Sequence, residues 1–167
     1  NRPMTEPRPG NFSLMICLSP AAGPILAVGG GPVGLRKIRT LLDGGAAVDL
    51  VSPEAVPELQ TLAAEGTIRW ERRTAERADF LKHRLALLAL PPEETAAVLP
   101  LAEGTGCLLN CCGAPESGSW ALAAQFRWEG FVIGAGSGGG DPAGSASLKK
   151  RLRQSLEDMT EEKENRP

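Results

Sequence analysis

The chain has 167 residues with ordinary apolar and charged content, enough for one main globular core and a small extra element but too short for two full domains. Its formal net charge of −2 provides no general field for nucleic acid, so an acidic ligand has to be met by local Lys and Arg clusters. No apolar run reaches the roughly 18–20 residues of a membrane span, and the basic-then-apolar order of a signal peptide is absent. A cytoplasmic protein without nucleic-acid or membrane partners is expected.

Residues 1–11, with three prolines and three charges, and the polar residues 158–167 read as flexible tails. Between them strands and helices alternate. Pro24 to Val28 predicts a short apolar strand and Val33 to Leu42 an amphipathic helix, with Ile38, Leu41 and Leu42 set against Arg36, Lys37 and Arg39. Gly44-Gly45 ends that helix. Ala47 to Val51 predicts a second strand, after which Ser52-Pro53-Glu54 turns the chain into a helix near Val56 to Glu65.

Thr67 to Glu71 predicts a third strand, Arg77 to His83 a short helix or loop, and Leu85 to Leu90 a fully buried fourth strand. A helix from about Glu93 to Ala102 and a fifth strand at Cys107 to Cys112 complete the pattern. Such alternation implies an α/β fold, a Rossmann-type parallel sheet covered on both faces, over residues 12–113.

After Gly113-Ala114-Pro115 the pattern changes. Trp120 to Phe126 and Phe131 to Ala135 read as two strands joined across Arg127 to Gly130, and a glycine-rich turn leads into a basic helix at Ser147 to Glu157. Residues 114–157 are too few to bury a core alone, so they must lean on the first domain or on another subunit.

The chemistry-bearing pattern is Gly29-Gly30-Gly31-Pro32-Val33-Gly34, placed where an apolar strand ends and a helix begins. In a dinucleotide-binding turn Gly29 permits the tight bend, Gly31 admits the pyrophosphate, and Gly34 lets the helix sit close on the strand. The anion then rests on unpaired N–H groups at the helix N-terminus. A purely structural glycine turn is the alternative. Ser52, Pro53 and Glu54 fall where the adenosine ribose lies, with Glu54 the acid that accepts from its hydroxyls. No Arg stands in this turn to meet a 2′-phosphate, which favours NAD over NADP.

Cys17, Cys107, Cys111 and Cys112 lack zinc-type spacing. Buried thiols are expected, with a metal or redox role as the alternative. His83, the one histidine, reads as a satisfied surface residue in a peripheral segment.

Residues 25–54, ILAVGGGPVGLRKIRTLLDGGAAVDLVSPE, resemble the start of the sirohaem synthase dehydrogenase domain, the precorrin-2 dehydrogenase family. Three consecutive glycines and the Arg36-Lys37 pair carry the likeness, which continues through LLNCCGAP at 108–115 and SGGGDP at 137–142. The resemblance implies NAD-dependent oxidation of precorrin-2, an acidic tetrapyrrole, to sirohydrochlorin in sirohaem biosynthesis. It also implies that residues 114–157 are a dimerisation segment, giving a homodimer near 35 kDa, about twice the 17.5 kDa chain.

In that reading Gly29, Gly30, Gly31, Pro32, Val33 and Gly34 hold the cofactor, with Ser52, Pro53 and Glu54 at its adenosine end. Asn110 falls on the family's fifth-strand Asn, and Ser137 on the Ser before its Gly-Gly turn. No general base is legible; Asn110, Ser137 and Asp141 are the candidates, and Ser137 and Lys149 are the substrate-binding ones.

Three departures stand out. The family's bifunctional members carry an Asp three residues after the Asn, where this chain has Gly113. The family's Ser-Pro-x-x-Ala-Arg helix start appears as Asp141-Pro142-Ala143-Gly144-Ser145-Ala146, leaving Lys149 as the nearest cation. The helical domain that usually follows the dimerisation segment is expected to be missing. Hydride transfer chiefly needs the substrate held against the nicotinamide, whereas iron insertion needs a base and a metal ligand. Dehydrogenation without ferrochelatase activity and without a bound metal is therefore expected. An inactive NAD-binding regulatory or pairing module is the alternative.

Overall fold

The computed structural model describes residues 14–164 other than Gly139, with side chains to residue 160. The expected N-terminal tail lies outside the described residues. The chain divides into two compact units, one of Ile16–Ala121 and one running from Leu122 onward together with Met15.

The first unit is a five-stranded parallel sheet. Its strands are β1 (Ile25–Gly30), β2 (Val48–Ala55), β3 (Arg69–Glu71), β4 (Leu85–Leu88) and β5 (Leu108–Cys111), in the order β3-β2-β1-β4-β5. The helices between them are α1 (Pro32–Asp43), α2 (Pro57–Ala64), α3 (Arg77–Lys82) and α4 (Pro92–Ala102). The chain moves outward from β1 to β3 and then crosses back to β4. Right-handed crossovers therefore put α1 and α2 on one face and α3 and α4 on the other. Every residue of β1 is buried, as a central strand covered on both faces requires. Leu26, Val28, Val51, Ala86, Leu88 and Cys111 pack with Phe80 and Ala102 in one core cluster. This is the Rossmann arrangement expected from the sequence.

Two details of β2 depart from expectation and shape the site. The strand continues through Ser52-Pro53-Glu54 to Ala55 instead of turning after Val51, and its register against β1 slips between Val28 and Gly30. The slip is possible because Gly30 has no Cβ: one there would collide with the Glu54 carbonyl and Ala55. The Val56 N–H then donates to the Gly30 carbonyl at 2.9 Å, and the helix begins at Pro57.

Beyond β5 the chain stays attached to the first unit longer than the expected break after Gly113. Leu109 N–H donates to Ser119 Oγ at 2.9 Å, Ser119 N–H donates to Leu109 O at 2.7 Å, and Trp120 Nε1 donates to Leu108 O at 3.1 Å. These bonds cap the open edge of the sheet.

In the second unit β6 (Ala124–Trp128) and β7 (Phe131–Ala135) form an antiparallel hairpin. Trp120 to Ala123, predicted as strand, lie outside it, with Trp120 bonded to Leu108 and Leu109 at the edge of β5, and the connection between β6 and β7 is only two residues long. Glu129 and Gly130 both have positive φ, 44° and 86°, as in the tight turns that match strand twist. The final helix, α5 (Pro142–Glu164), starts five residues before the predicted Ser147 and continues past residue 157 into the segment expected to be a tail. Asp141 explains the early start: its Oδ1 accepts the Gly144 N–H at 2.7 Å, an N-cap preceding Pro at the first helical position.

Candidate functional site

The glycine turn closes the C-terminal end of β1, and its glycines have distinct jobs. Gly29 has φ +105°, and a Cβ on it would strike the Ala89 carbonyl at the end of β4. A Cβ on Gly34 would strike the Gly29 carbonyl, so the bare glycine lets α1 descend onto the turn. Gly31, the N-cap of α1, meets nothing within 4 Å. Its missing side chain leaves open space in front of the helix N-terminus. No side chain caps that end, and Pro32 at the first position has no N–H to satisfy. Val33 is 41% exposed beside it.

The end of β2 is stitched to this turn. Ser52, 7% exposed, accepts the Gly30 N–H on its Oγ at 3.0 Å and donates from the same oxygen to the Glu54 carbonyl at 2.6 Å. Pro53 and Glu54 remain exposed. The structure thus brings together the predicted cofactor residues from Gly29 to Gly34 and from Ser52 to Glu54, although they lie on separate strands.

A family model described as putative NAD(P)-binding matches residues 16–124. The chain belongs to this NAD(P)-binding family. Among its relatives, siroheme synthase 1 of Aeromonas salmonicida (strain A449) is 36% identical over 135 residues, covering 80% of this chain but 28% of the relative. The chain therefore spans little more than a quarter of that relative's length. Precorrin-2 dehydrogenase of Bacillus subtilis (strain 168) is 28% identical over 131 residues, 77% of this chain and 79% of the relative. A solved structure described as SirC, precorrin-2 dehydrogenase, superposes with a TM-score of 0.69 at 24% identity, covering 87% of this chain and 68% of that one, and supports the fold.

The turn fits the dinucleotide of an NAD(P)-binding protein. A pyrophosphate needs backbone donors without a side chain in the way, and Gly31 supplies that clearance. The other expected residues are placed as follows. Asn110, on β5 opposite Leu87, is 6% exposed. The Cys112 thiol donates to its Oδ1 at 3.9 Å, and its buried Nδ2 has no partner among the described residues. Gly113 is walled off, because a Cβ there would meet the Leu90 carbonyl at 2.6 Å and Pro92 N at 3.3 Å.

Ser137, Asp141 and Lys149 belong to the second unit. Ser137 Oγ accepts the Asp141 N–H at 2.8 Å, while Asp141 caps α5. That engagement gives Asp141 a structural task. Lys149 lies on α5 and is half-buried.

The cysteines only partly match the expectation of buried thiols. Cys17 is exposed, because it precedes the first strand, whereas Cys111 is buried and Cys107 and Cys112 are intermediate. Burial pushes the Cys107 thiol up to about 11 and raises Cys111. At Cys112 burial outweighs the opposing pull of Lys37 and Arg36. No group of three or more His, Cys, Asp or Glu placed to hold a metal occurs among the described residues.

His83 is not a surface residue: its side chain is 8% exposed. Nδ1 meets the Asp79 carbonyl at 2.7 Å and Nε2 meets Asp49 Oδ2 at 2.9 Å. Asp49 pairs with Leu26, well before the glycine turn, so this His tethers α3 to β2 away from the cofactor end.

Sequence reasoning missed Trp70 and Arg72. Trp70 Nε1 donates to the Ser52 carbonyl at 3.0 Å, Arg72 Nε donates to the Pro53 carbonyl at 3.3 Å, and the Arg72 guanidinium lies 5.4 Å from the centre of the Trp70 ring. The only available signal was the aromatic-x-Arg spacing on a strand, which puts both side chains on one face.

Proposed function

We propose that this chain oxidises precorrin-2 to sirohydrochlorin in sirohaem biosynthesis, using NAD, and does not insert iron. The observation that carries the reading is the cleared, uncapped turn at Gly31, stitched through Ser52 to the end of β2, in a chain similar to a precorrin-2 dehydrogenase over 79% of that relative's length. NAD supplies the hydride acceptor when bound. The protein's part is to hold it: backbone N–H groups at the start of α1 take the pyrophosphate, Gly31 leaves room for it, and Glu54 takes the adenosine ribose hydroxyls.

The substrate is a polycarboxylate, for which Lys149 and Ser137 are the proposed contacts, through charge and hydroxyl donation. Asn110 offers an unused amide donor under the sheet's C-terminal end. Gly113 supports the absence of chelation: it brings no carboxylate and the Leu90–Pro92 backbone leaves no room for one.

Homodimer formation belongs to the same proposal. Phe131 and Val132 on β7 are 71% and 49% exposed, and Met159 on α5 is 57% exposed, apolar side chains that pairing with a second copy would cover. A solution mass of about 35 kDa is expected; 17.5 kDa would refute pairing. No helix among the described residues is long and apolar enough to cross a membrane. The proposed location is the cytoplasm, which cell fractionation tests.

Anaerobic incubation with precorrin-2 and NAD, without added metal, should yield NADH and the sirohydrochlorin spectrum in equal amounts. NAD binding without turnover would instead establish the non-catalytic module.

A further inference from the structure

The geometry points to a carboxylate-binding subsite formed by Lys37 and Asn110 at the C-terminal ends of β4 and β5, which takes one carboxylate of the tetrapyrrole substrate. The inference rests on the function proposed above and deepens it by naming a substrate contact within the first unit. It also gives a task to the Arg36-Lys37 pair, which the cofactor reading leaves without one.

The strand order β3-β2-β1-β4-β5 puts the reversal of direction between β1 and β4, where a ligand of an open parallel sheet lies. With the adenosine read at Ser52 to Glu54 on the β2 side, the reacting half of the dinucleotide falls on the β4 side. α1 leans towards that side, because a Cβ on Gly34 would lie 3.6 Å from the Ala89 side chain just past β4. Lys37 follows Gly34 at the spacing that shares a helix face, one turn further along.

β5 reaches the same level. The Cys112 N–H donates to the Leu88 carbonyl at 2.9 Å and the Ala89 N–H to the Val28 carbonyl at 2.8 Å, so Cys112 stands at the end of the sheet in line with the glycine turn. Asn110, next but one before it, lies on the same face of the chain, and the Cys112 thiol donates to its Oδ1 at 3.9 Å. Burial has the largest effect on that thiol, and the Lys37 ammonium and then the Arg36 guanidinium oppose it. The face that Asn110 and Cys112 share is therefore the one that α1 covers, and Lys37 is the cation nearest in effect.

Both groups are left with an unmet need. Asn110 is 6% exposed, its oxygen is engaged by the thiol, and its Nδ2 has no partner among the described residues. A buried donor in that state is destabilising until something accepts from it. Lys37 is half-buried, and its ammonium has no hydrogen bond or ion pair among the described residues. An amide donor beside an unpaired ammonium calls for an anionic oxygen acceptor. A carboxylate and a phosphate share that chemistry. The pyrophosphate is already read at the open space before Gly31, more than a helical turn back along α1, so the subsite is assigned to the substrate, whose carboxylates local cations have to meet.

The test compares the whole wild-type chain with Lys37→Met, Lys37→Arg and Asn110→Leu. Anaerobic turnover of precorrin-2 with NAD, equilibrium binding of sirohydrochlorin and calorimetric titration with NAD are the readouts. Lys37→Met keeps the apolar stem and removes the charge. It should raise the KM for precorrin-2 and weaken sirohydrochlorin by about tenfold or more, with kcat within about threefold. Asn110→Leu should move the same two quantities by about three- to tenfold. Lys37→Arg, which keeps the cation, should stay within about threefold of wild type. NAD affinity should hold within about twofold in all three variants, and no unfolding midpoint should drop, which separates a lost contact from a lost fold. Unchanged KM and sirohydrochlorin affinity in Lys37→Met would overturn this inference alone and leave the dehydrogenase standing. Weakened NAD with the substrate unaffected would also overturn it, assigning the subsite to a cofactor phosphate. A wild type that binds NAD but neither turns over precorrin-2 nor binds sirohydrochlorin would overturn the proposed function and this inference with it.

Discussion

Gly31 and Gly113 both lie just beyond strand ends, at the same edge of the sheet, yet a side chain added at each would meet opposite surroundings. At Gly31 it would enter open space, whereas at Gly113 it would run into the backbone between Leu90 and Pro92. The first absence is clearance for a ligand and the second is a packing contact. A glycine in a motif thus has two physical meanings, and only the atoms opposite it tell them apart.

The largest expected effect is at the open glycine. Gly31→Asp places a carboxylate in the space proposed for the pyrophosphate, and nothing in the fold resists it, so NAD affinity should fall by about a hundredfold or more, roughly 2.7 kcal/mol. The unfolding midpoint should stay put. Unchanged affinity in a titration would remove the cofactor from this turn.

The closed glycine should respond in the reverse sense. Gly113→Asp should destabilise the protein by about 1–3 kcal/mol, since the Leu90–Pro92 loop has to move, and should leave iron insertion absent. A variant with wild-type denaturant midpoint, or one that gains metal insertion into sirohydrochlorin, would show that the wall yields.

A control comes from the face opposite α1. Arg73 donates to both oxygens of Asp79, whose side chain is 5% exposed, and this bonding holds the carboxyl well below the usual range, against the opposing effect of burial. A depressed folded-state pKa contributes stability that is fully present above the unfolded value, near 3.9, and is lost as pH falls below it. Asp79→Asn should cost about 1–2 kcal/mol at neutral pH, discounted because Arg73 is partly exposed. It should also flatten the acid limb of the stability profile below about pH 4. NAD affinity should not change. An unaltered acid limb would assign that limb to other carboxyls.

The smallest effect is expected at Asn110. Its buried Nδ2 lacks a partner among the described residues, so Asn110→Leu should be neutral or stabilising by less than about 1 kcal/mol. If turnover of precorrin-2 falls while the unfolding midpoint holds, the orphaned amide serves a ligand. If both are unchanged, Asn110 is a core residue.

Much of the first unit was readable before any coordinates. The alternation of apolar strands with helices and the glycine turn depend on neighbours within a few residues. The errors fell where local pattern competes with a distant partner. Ser52 to Glu54 looks like a turn by composition, yet Gly30 admits it alongside β1 as continued strand. Residues 120–123 look like strand, but Ser119 and Trp120 are taken up by the edge of β5. His83 looked peripheral because its partner Asp49 is 34 residues away.

By itself the sequence determined the α/β alternation, the position of the glycine turn and the lack of a carboxylate at Gly113, because each is written in residue identity and short spacing. The tertiary structure decided which glycines are open and which are filled. It also decided that Ser52 locks β2 to the turn and that Arg72, 19 residues beyond Pro53, bonds to the Pro53 carbonyl at the end of β2. Those outcomes depend on which strands lie side by side and in what register, and residues far apart in the chain meet only once the sheet has formed.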